Sequence, residues 1–268
     1  MTALAQANNP SQDEVVEVIN SSGQGEFLLV CEHASRFIPS QFDNLGLEQD
    51  VRHSHVAWDP GALGVAEEIS TQLDATLVAQ RVSRLVYDCN RPPESESAMP
   101  AKSEIFDVPG NVDLSPSQRQ ARIEQYYLPF QQTLSAQIDS HTARILPPVL
   151  ITVHSFTPTY HGIARNLDIG ILHDSDSRFA DELLISLATE NQFVTARNQP
   201  YGPADGVTHT LVQHGLSRGL LNVMIEIRND IINTPESQRK MGEMLARHLT
   251  DVLARLRMKA AEAHHENE

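Results

Sequence analysis

Apolar residues along this chain fall in short runs separated by longer amphipathic stretches. Runs at Phe27–Cys31, Ala75–Ala79, Leu85–Tyr87, Val149–Val153, Leu167–Leu172, Phe193–Ala196 and Leu220–Ile227 are rich in Val, Ile and Leu. Several are apolar at nearly every position instead of alternating, which is the pattern of strands covered on both faces. The stretches between them read as helices. In DPGALGVAEEISTQL, Asp59 is a candidate N-cap, Pro60 suits the first helical position, and Leu63, Ala66, Ile69 and Leu73 share a face. Ser115 and Pro116 open a second helix that should bend at Pro129. Residues 174–176, Asp-Ser-Asp, offer a cap for a third, and a fourth runs from Pro235 to about Met258. Its Met241, Met244, Leu245, Leu249, Val252 and Leu253 recur at helical spacing and read as core packing. Strands alternating with helices predict an α/β fold: a mostly parallel or mixed central sheet, helices on both faces, and ligands at the carboxyl ends of strands.

Two segments, 90–114 and 199–219, fit neither pattern, and loops of such length in one domain commonly act as lids. The ends, about 1–15 and 260–268, read as frayed, with His264 and His265 as solvated tail residues. At 268 residues, without internal repeat or composition break, the chain reads as one catalytic-sized domain. Its 20 basic and 35 acidic residues give a net charge of −15, which disfavours nucleic acid and anionic membrane surfaces as partners. No apolar run is long enough for a membrane helix. Two cysteines, Cys31 and Cys89, lie in or beside apolar runs, and no signal-like segment opens the chain, so a cytoplasmic setting is expected. Nothing in the pattern selects an oligomeric state.

Chemistry gathers where three strands end. The first run ends in Cys31-Glu32-His33, the fourth leads to His154-Ser155, and the last carries Glu226 and Arg228. Two imidazoles and a carboxylate brought to one edge suit a zinc ion, which takes neutral nitrogen and anionic oxygen ligands and keeps a position for water. Each residue also has a plainer role: His33 could cap a turn, His154 could be a hydrogen-bonded core histidine, and Asp59 could simply cap its helix. Glu226, flanked by Val223, Met224, Ile225 and Ile227, needs a partner to be buried, and Arg228 could supply one.

The segments LLVCEHASRFIP, HVAWDPGA, RLVYDCNRP, ITVHSFTP and MIEIRND, in that order over roughly residues 27–230, resemble the successive motifs of the N-formylglutamate amidohydrolase family. The resemblance implies an α/β three-layer sandwich similar to zinc-dependent exopeptidases. It also implies hydrolysis of the amide of an N-acyl amino acid such as N-formyl-L-glutamate, a step in amino acid metabolism that gives formate and glutamate. Position by position it makes His33, Asp59 and His154 the ligands of Zn2+ or another divalent transition metal, with Glu32 as the alternative third ligand. Glu226 then matches the general base. Such a metal lowers the pKa of water toward neutrality, and a carboxylate within reach can take the water's proton and pass it to the leaving nitrogen.

A small anionic N-acyl amino acid calls for guanidinium forks. Arg91, Arg165 and Arg228 are the candidates, with Arg84 behind them; Asn90 beside Arg91 is a further substrate-binding candidate. His209 and His214, with His161 and Thr208 nearby in sequence loops, could steady an oxyanion or close a lid. Two other classes fit the same residues: a metal-free binding or regulatory protein on this fold, and a zinc peptidase or cell-wall amidase. A serine hydrolase fits less well, because Ser155 lies outside any GxSxG turn.

Overall fold

The computed structural model describes residues 15–265. In chain order its elements are β1 (Val16–Ile19), β2 (Phe27–Cys31), a short helix α1 (Gln49–His53), α2 (Ala62–Leu73), β3 (Thr76–Gln80), the two-residue strands β4 (Lys102–Ser103) and β5 (Phe106–Asp107), and α3 (Pro116–Arg122). They continue with α4 (Leu128–Arg144), β6 (Val149–Phe156), the short β7 (Thr159–Tyr160) and β8 (Ile163–Ala164), β9 (Ile169–Leu172), α5 (Arg178–Leu187), β10 (Thr195–Arg197), β11 (Asn222–Arg228) and α6 (Pro235–His265).

Seven strands form one sheet in the order β1-β3-β2-β6-β11-β9-β10. β3, β2, β6 and β11 are mutually parallel, while β1 runs antiparallel to β3 and β9 antiparallel to β11. The sheet is therefore mixed, with a parallel centre. Along β2 the pleat sends Phe27, Leu29 and Cys31 to the side covered by α2, α5 and α6, and Leu28 and Val30 to the side covered by α4 and the long loops. Burial on both faces is why these strands carry no polar alternation. Each such Leu or Phe contributes about 1.5–3 kcal/mol of hydrophobic stabilisation.

Several sequence expectations shift by a few residues, and some change in kind. Leu85–Tyr87 is no strand: Val86 N and Tyr87 N both bond back to Ser83 O, and the three side chains are buried in a loop against α4. A short apolar run satisfies burial as well in a turn as in a strand. Asp59 does not cap α2, which begins after Gly61 at φ +83, a left-handed conformation; a Cβ there would also meet Ile232 O at 2.4 Å. Ser115 caps α3 through a capping box with Gln118. Pro129 falls in the first turn of α4, just past a π-turn. The turn Ile123–Tyr127 widens to a π-turn, since the proline has no N–H for the carbonyl four residues before it. Before α5, Asp176 Oδ1 accepts from Arg178 N at 3.1 Å. The closing helix runs to His265, beyond the expected end near Met258. Residues 1–14, expected to be frayed, and the side chains of His264 and His265 lie outside the described residues. β1 and the hairpins β4-β5 and β7-β8 are additional to the expected strands.

Candidate active site

The parallel centre of the sheet delivers its chemistry side by side. Glu226 on β11 is the register partner of His154 on β6, and Val30 is the partner of Thr152, so the residue two beyond Val30, Glu32, comes beside His154. Past the end of β2 the backbone turns and His33 leaves the pleat. Its carbonyl accepts from Asp59 N at 2.9 Å, which fastens the loop before α2 to the end of β2. Ser155 N then donates to Asp59 Oδ2 at 3.2 Å. Asp59, released from capping by the left-handed Gly61, is thus aimed at the strand ends.

Three donor atoms meet there. His33 Nδ1 lies 3.2 Å from Asp59 Oδ2, His154 Nδ1 lies 2.9 Å from the same oxygen, and the two Nδ1 atoms are 3.2 Å apart. All three residues are buried. Ligand atoms bound to a tetrahedral zinc at about 2.0–2.1 Å stand roughly 3.3 Å from one another, so the triangle is close to one face of such a site. The far side of each ring is held as well. Asp88 Oδ1 is 2.7 Å from His33 Nε2, and Glu32 Oε2 is 3.0 Å from His154 Nε2. The Glu32 approach falls outside hydrogen-bond geometry and leaves its oxygens formally unpartnered. Carboxylates behind imidazoles orient the rings so that the opposite nitrogens face the ion, the arrangement of metal-ligating histidines. The residues present fit a divalent transition metal. Glu32, the alternative ligand, stands behind His154 and outside the donor triangle. Asp88 lies in the RLVYDCNRP segment that the resemblance placed at the site, but sequence reasoning gave it no role of its own.

The field of the cluster follows from burial and charge. Burial opposes ionisation of Asp59, but His33 and His154 hold its carboxyl well below the usual range. Burial likewise works against Asp88, and His33, Arg84 and Arg91 outweigh it. His154 is disfavoured as a cation by burial, yet Glu32 and Asp59 raise its pKa well above the ordinary value. Glu226 is different. Burial pushes its pKa up to about 7, opposed by the charges of His154 and His33 and reinforced by Asp59, and among the described residues its Oε2 has no hydrogen-bond partner.

A cavity of about 470 Å³ opens over the cluster, with His33, Asp59, His154 and Glu226 at its base. Arg84, Asn90, Arg91 and Arg165 line it too, as do Glu104 from the β4-β5 hairpin and Tyr201 and Asp205 from the 199–219 segment. Asn90 spends its amide on the backbone: Nδ2 donates to Val207 O at 2.6 Å and Oδ1 accepts from Thr210 N at 3.0 Å. It holds a cavity wall in place. Arg228 and His209 lie elsewhere. Arg228 pairs with Asp168 at 3.0 Å and Asp230 at 2.7 Å, because two acids near the strand's end claim it before any ligand could. His209 bonds through Nε2 to Tyr127 OH at 2.9 Å and stacks on that ring, away from the cavity lining. His214 bonds Gln131, Thr208 Oγ1 donates to Asp174, and His161 sits at the turn of the β7-β8 hairpin. Ser155 Oγ donates to Pro60 O at 2.9 Å and has no histidine acting on it.

Compared with known families, the chain matches the model described as N-formylglutamate amidohydrolase over residues 25–233. Fold and match together define a hydrolase acting on C–N bonds other than peptide bonds. The chain belongs to the N-formylglutamate amidohydrolase family. It is similar to the crystal structure of gene product Atu2144 from Agrobacterium tumefaciens, with 52% identity over 91% of this chain and 96% of that one and a TM-score of 0.89. It shares its fold with the N-formylglutamate amidohydrolase from Ralstonia eutropha JMP134, at 20% identity over 93% of this chain and 99% of that one and a TM-score of 0.56. No curated protein matches it. Among the described residues no helix is long and apolar enough to cross a membrane.

Proposed function

We propose that this chain is a metal-dependent amidohydrolase that cleaves the amide of a small anionic N-acyl amino acid, N-formyl-L-glutamate being the model substrate, to the free acid and the amine. The observation that carries this is the donor triangle of His33, Asp59 and His154, which lines the same cavity as Glu226, whose Oε2 has no partner among the described residues. His33, Asp59 and His154 would hold the ion, and zinc or a similar metal bound there supplies Lewis acidity and lowers the pKa of water. Glu226 takes a proton from the attacking water and delivers it to the amide nitrogen as the C–N bond breaks. Its burial favours the protonated form, which helps a group that must both accept and donate a proton. Arg91 and Arg165, neither paired with a carboxylate among the described residues, supply positive charge to the substrate's acids.

The binding-protein reading would be favoured by an arginine tying up Glu226. Arg228 is instead committed to Asp168 and Asp230. The test is metal content by elemental analysis of untagged protein, in wild type, His33→Ala and His154→Ala, followed by a screen of N-formyl, N-acetyl and N-succinyl amino acids. About one ion per chain, lost in both variants, together with turnover of an N-formyl substrate is expected. A wild type that takes up no zinc sinks the proposal.

A further inference from the structure

The arginines near the cavity differ in what surrounds them. Arg84 is neutralised, with Nη2 3.0 Å from Asp88 Oδ2 and Nη1 3.4 Å from Asp59 Oδ1. Its fork is spent on holding the two acids of the site. Arg165 has no carboxylate within ion-pair distance among the described residues. Its guanidinium carbon lies 4.5 Å from the centre of the Tyr160 ring, 4.9 Å from that of Tyr201 and 5.6 Å from that of Phe156. Two neutral oxygens take its remaining contacts: Nη2 donates to Tyr201 Oη at 3.0 Å and Nη1 to Thr157 O at 3.4 Å.

Ring faces attract a cation without competing for the in-plane N–H groups, so a caged guanidinium keeps its charge and most of its five donors. An acid at the same place would immobilise Arg165 equally well but would cancel its charge and fill its fork. We infer that Arg165 is the cavity's carboxylate receptor, and that the rings of Tyr160 and Tyr201 are the positioning residues that hold it for that role. The backbone supports the arrangement. Arg165 N donates to Pro158 O at 2.8 Å across the β7-β8 hairpin, which sets Tyr160 and Arg165 on one small unit. On the other side a Cβ at Gly170 would stand 1.9 Å from Gln199 O, so only glycine on β9 lets the segment leading to Tyr201 lie this close to the sheet.

The inference deepens the amidohydrolase reading and rests on it for the identity of the substrate. A planar carboxylate bound edge-on by two N–H groups is the ligand this geometry recognises, and lysine cannot reproduce it. The test is calorimetric binding of glutarate, a dicarboxylate without a scissile amide, to wild type, Arg165→Lys, Tyr160→Phe, Tyr160→Leu and Tyr201→Phe. Turnover of N-formyl-L-glutamate is followed in parallel. Tyr201→Phe, which removes one hydroxyl, is expected to weaken glutarate about threefold to tenfold. Tyr160→Phe should bind as wild type does, while Tyr160→Leu and Arg165→Lys should each weaken binding about tenfold or more. In turnover Tyr201→Phe, Tyr160→Leu and Arg165→Lys should raise KM and leave kcat within about twofold, the signature of lost uniform binding. Failure of wild type to bind glutarate, or a folded Tyr160→Leu protein that binds it as tightly as Tyr160→Phe does, overturns the receptor. Glutarate binding that follows the rings while N-formyl-L-glutamate is not turned over overturns the substrate reading and leaves the receptor standing. Because Tyr201→Phe preserves the ring, it keeps the question answerable even if a leucine variant fails to fold.

Discussion

Replacing Asp88 by asparagine asks whether the acid behind His33 shapes the metal site. Asp88 Oδ1 accepts hydrogen bonds from His33 Nε2 at 2.7 Å and from Asn90 N at 3.0 Å, while Oδ2 pairs with Arg84 at 3.0 Å. Asparagine is nearly isosteric and keeps one acceptor oxygen, which can still serve His33 and Asn90. Its NH₂ then faces the Arg84 guanidinium, donor against donor. A hydrogen bond to a charged group contributes about 1.5–3 kcal/mol against roughly 0.5–1.5 for a neutral one, so the His33 bond alone weakens by about 1 kcal/mol. Loosening of Arg84, which also reaches Asp59 Oδ1 at 3.4 Å, adds a comparable amount. The expected loss of zinc affinity is tenfold to a hundredfold, about 1.4–2.7 kcal/mol, in line with other residues that orient metal-bound histidines. Competition with a chromophoric chelator at fixed pH measures it, with urea unfolding of the metal-free variant as a control for folding. Unchanged zinc affinity in a folded Asp88→Asn protein would refute the claim that Asp88 orients His33 for a metal.

Other expectations follow from the same geometry. Glu226→Gln should lower kcat about 10²–10⁴-fold while leaving metal content unchanged, since the residue lies outside the donor triangle; equal losses of both would point to a ligand role. His214 is held by burial, aided by Arg218, at a pKa of about 4, and it bonds to Gln131 in the folded state. An unfolded histidine titrates near 6.5, so the unfolded chain binds more protons between those values and the stability conferred above pH 6.5 is lost as pH falls toward 4. Between pH 7 and pH 5 this amounts to about 2 kcal/mol, and urea titrations of His214→Asn should show a fall in stability smaller by that amount. Phe130→Ala, at a fully buried position of α4, should cost about 3–5 kcal/mol and lower the thermal midpoint; a near-neutral result would mean that α4 is not a covering layer of the sheet.

Strands β2, β6 and β11 were legible because each is an unbroken apolar run, and burial on both faces writes itself into every position. His33, His154 and Glu226 stood out as polar residues at or just beyond those runs, although each also had a plainer structural role to weigh against a site. Leu85–Tyr87 misled because three apolar residues cannot distinguish a strand from a buried turn. Asp59 presents the opposite case: its local setting, an acid before Pro60, is that of a helix cap, yet Gly61 moves the helix start past it and frees the carboxylate. Arg228 and His209 looked available from sequence and are engaged by Asp168, Asp230 and Tyr127.

What the sequence determined by itself is the alternation of strands and helices and the presence of two histidines and two acids near strand ends, because periodicity and burial act between near neighbours in the chain. What only the tertiary structure decided is which partners meet. Asp88 reaches His33 across 55 positions, Asp59 meets His154 across 95, and Tyr201 joins Arg165 across 36. No local pattern encodes such distances, since they are set by the parallel register of β2, β6 and β11 and by the loops that the sheet brings together at one edge.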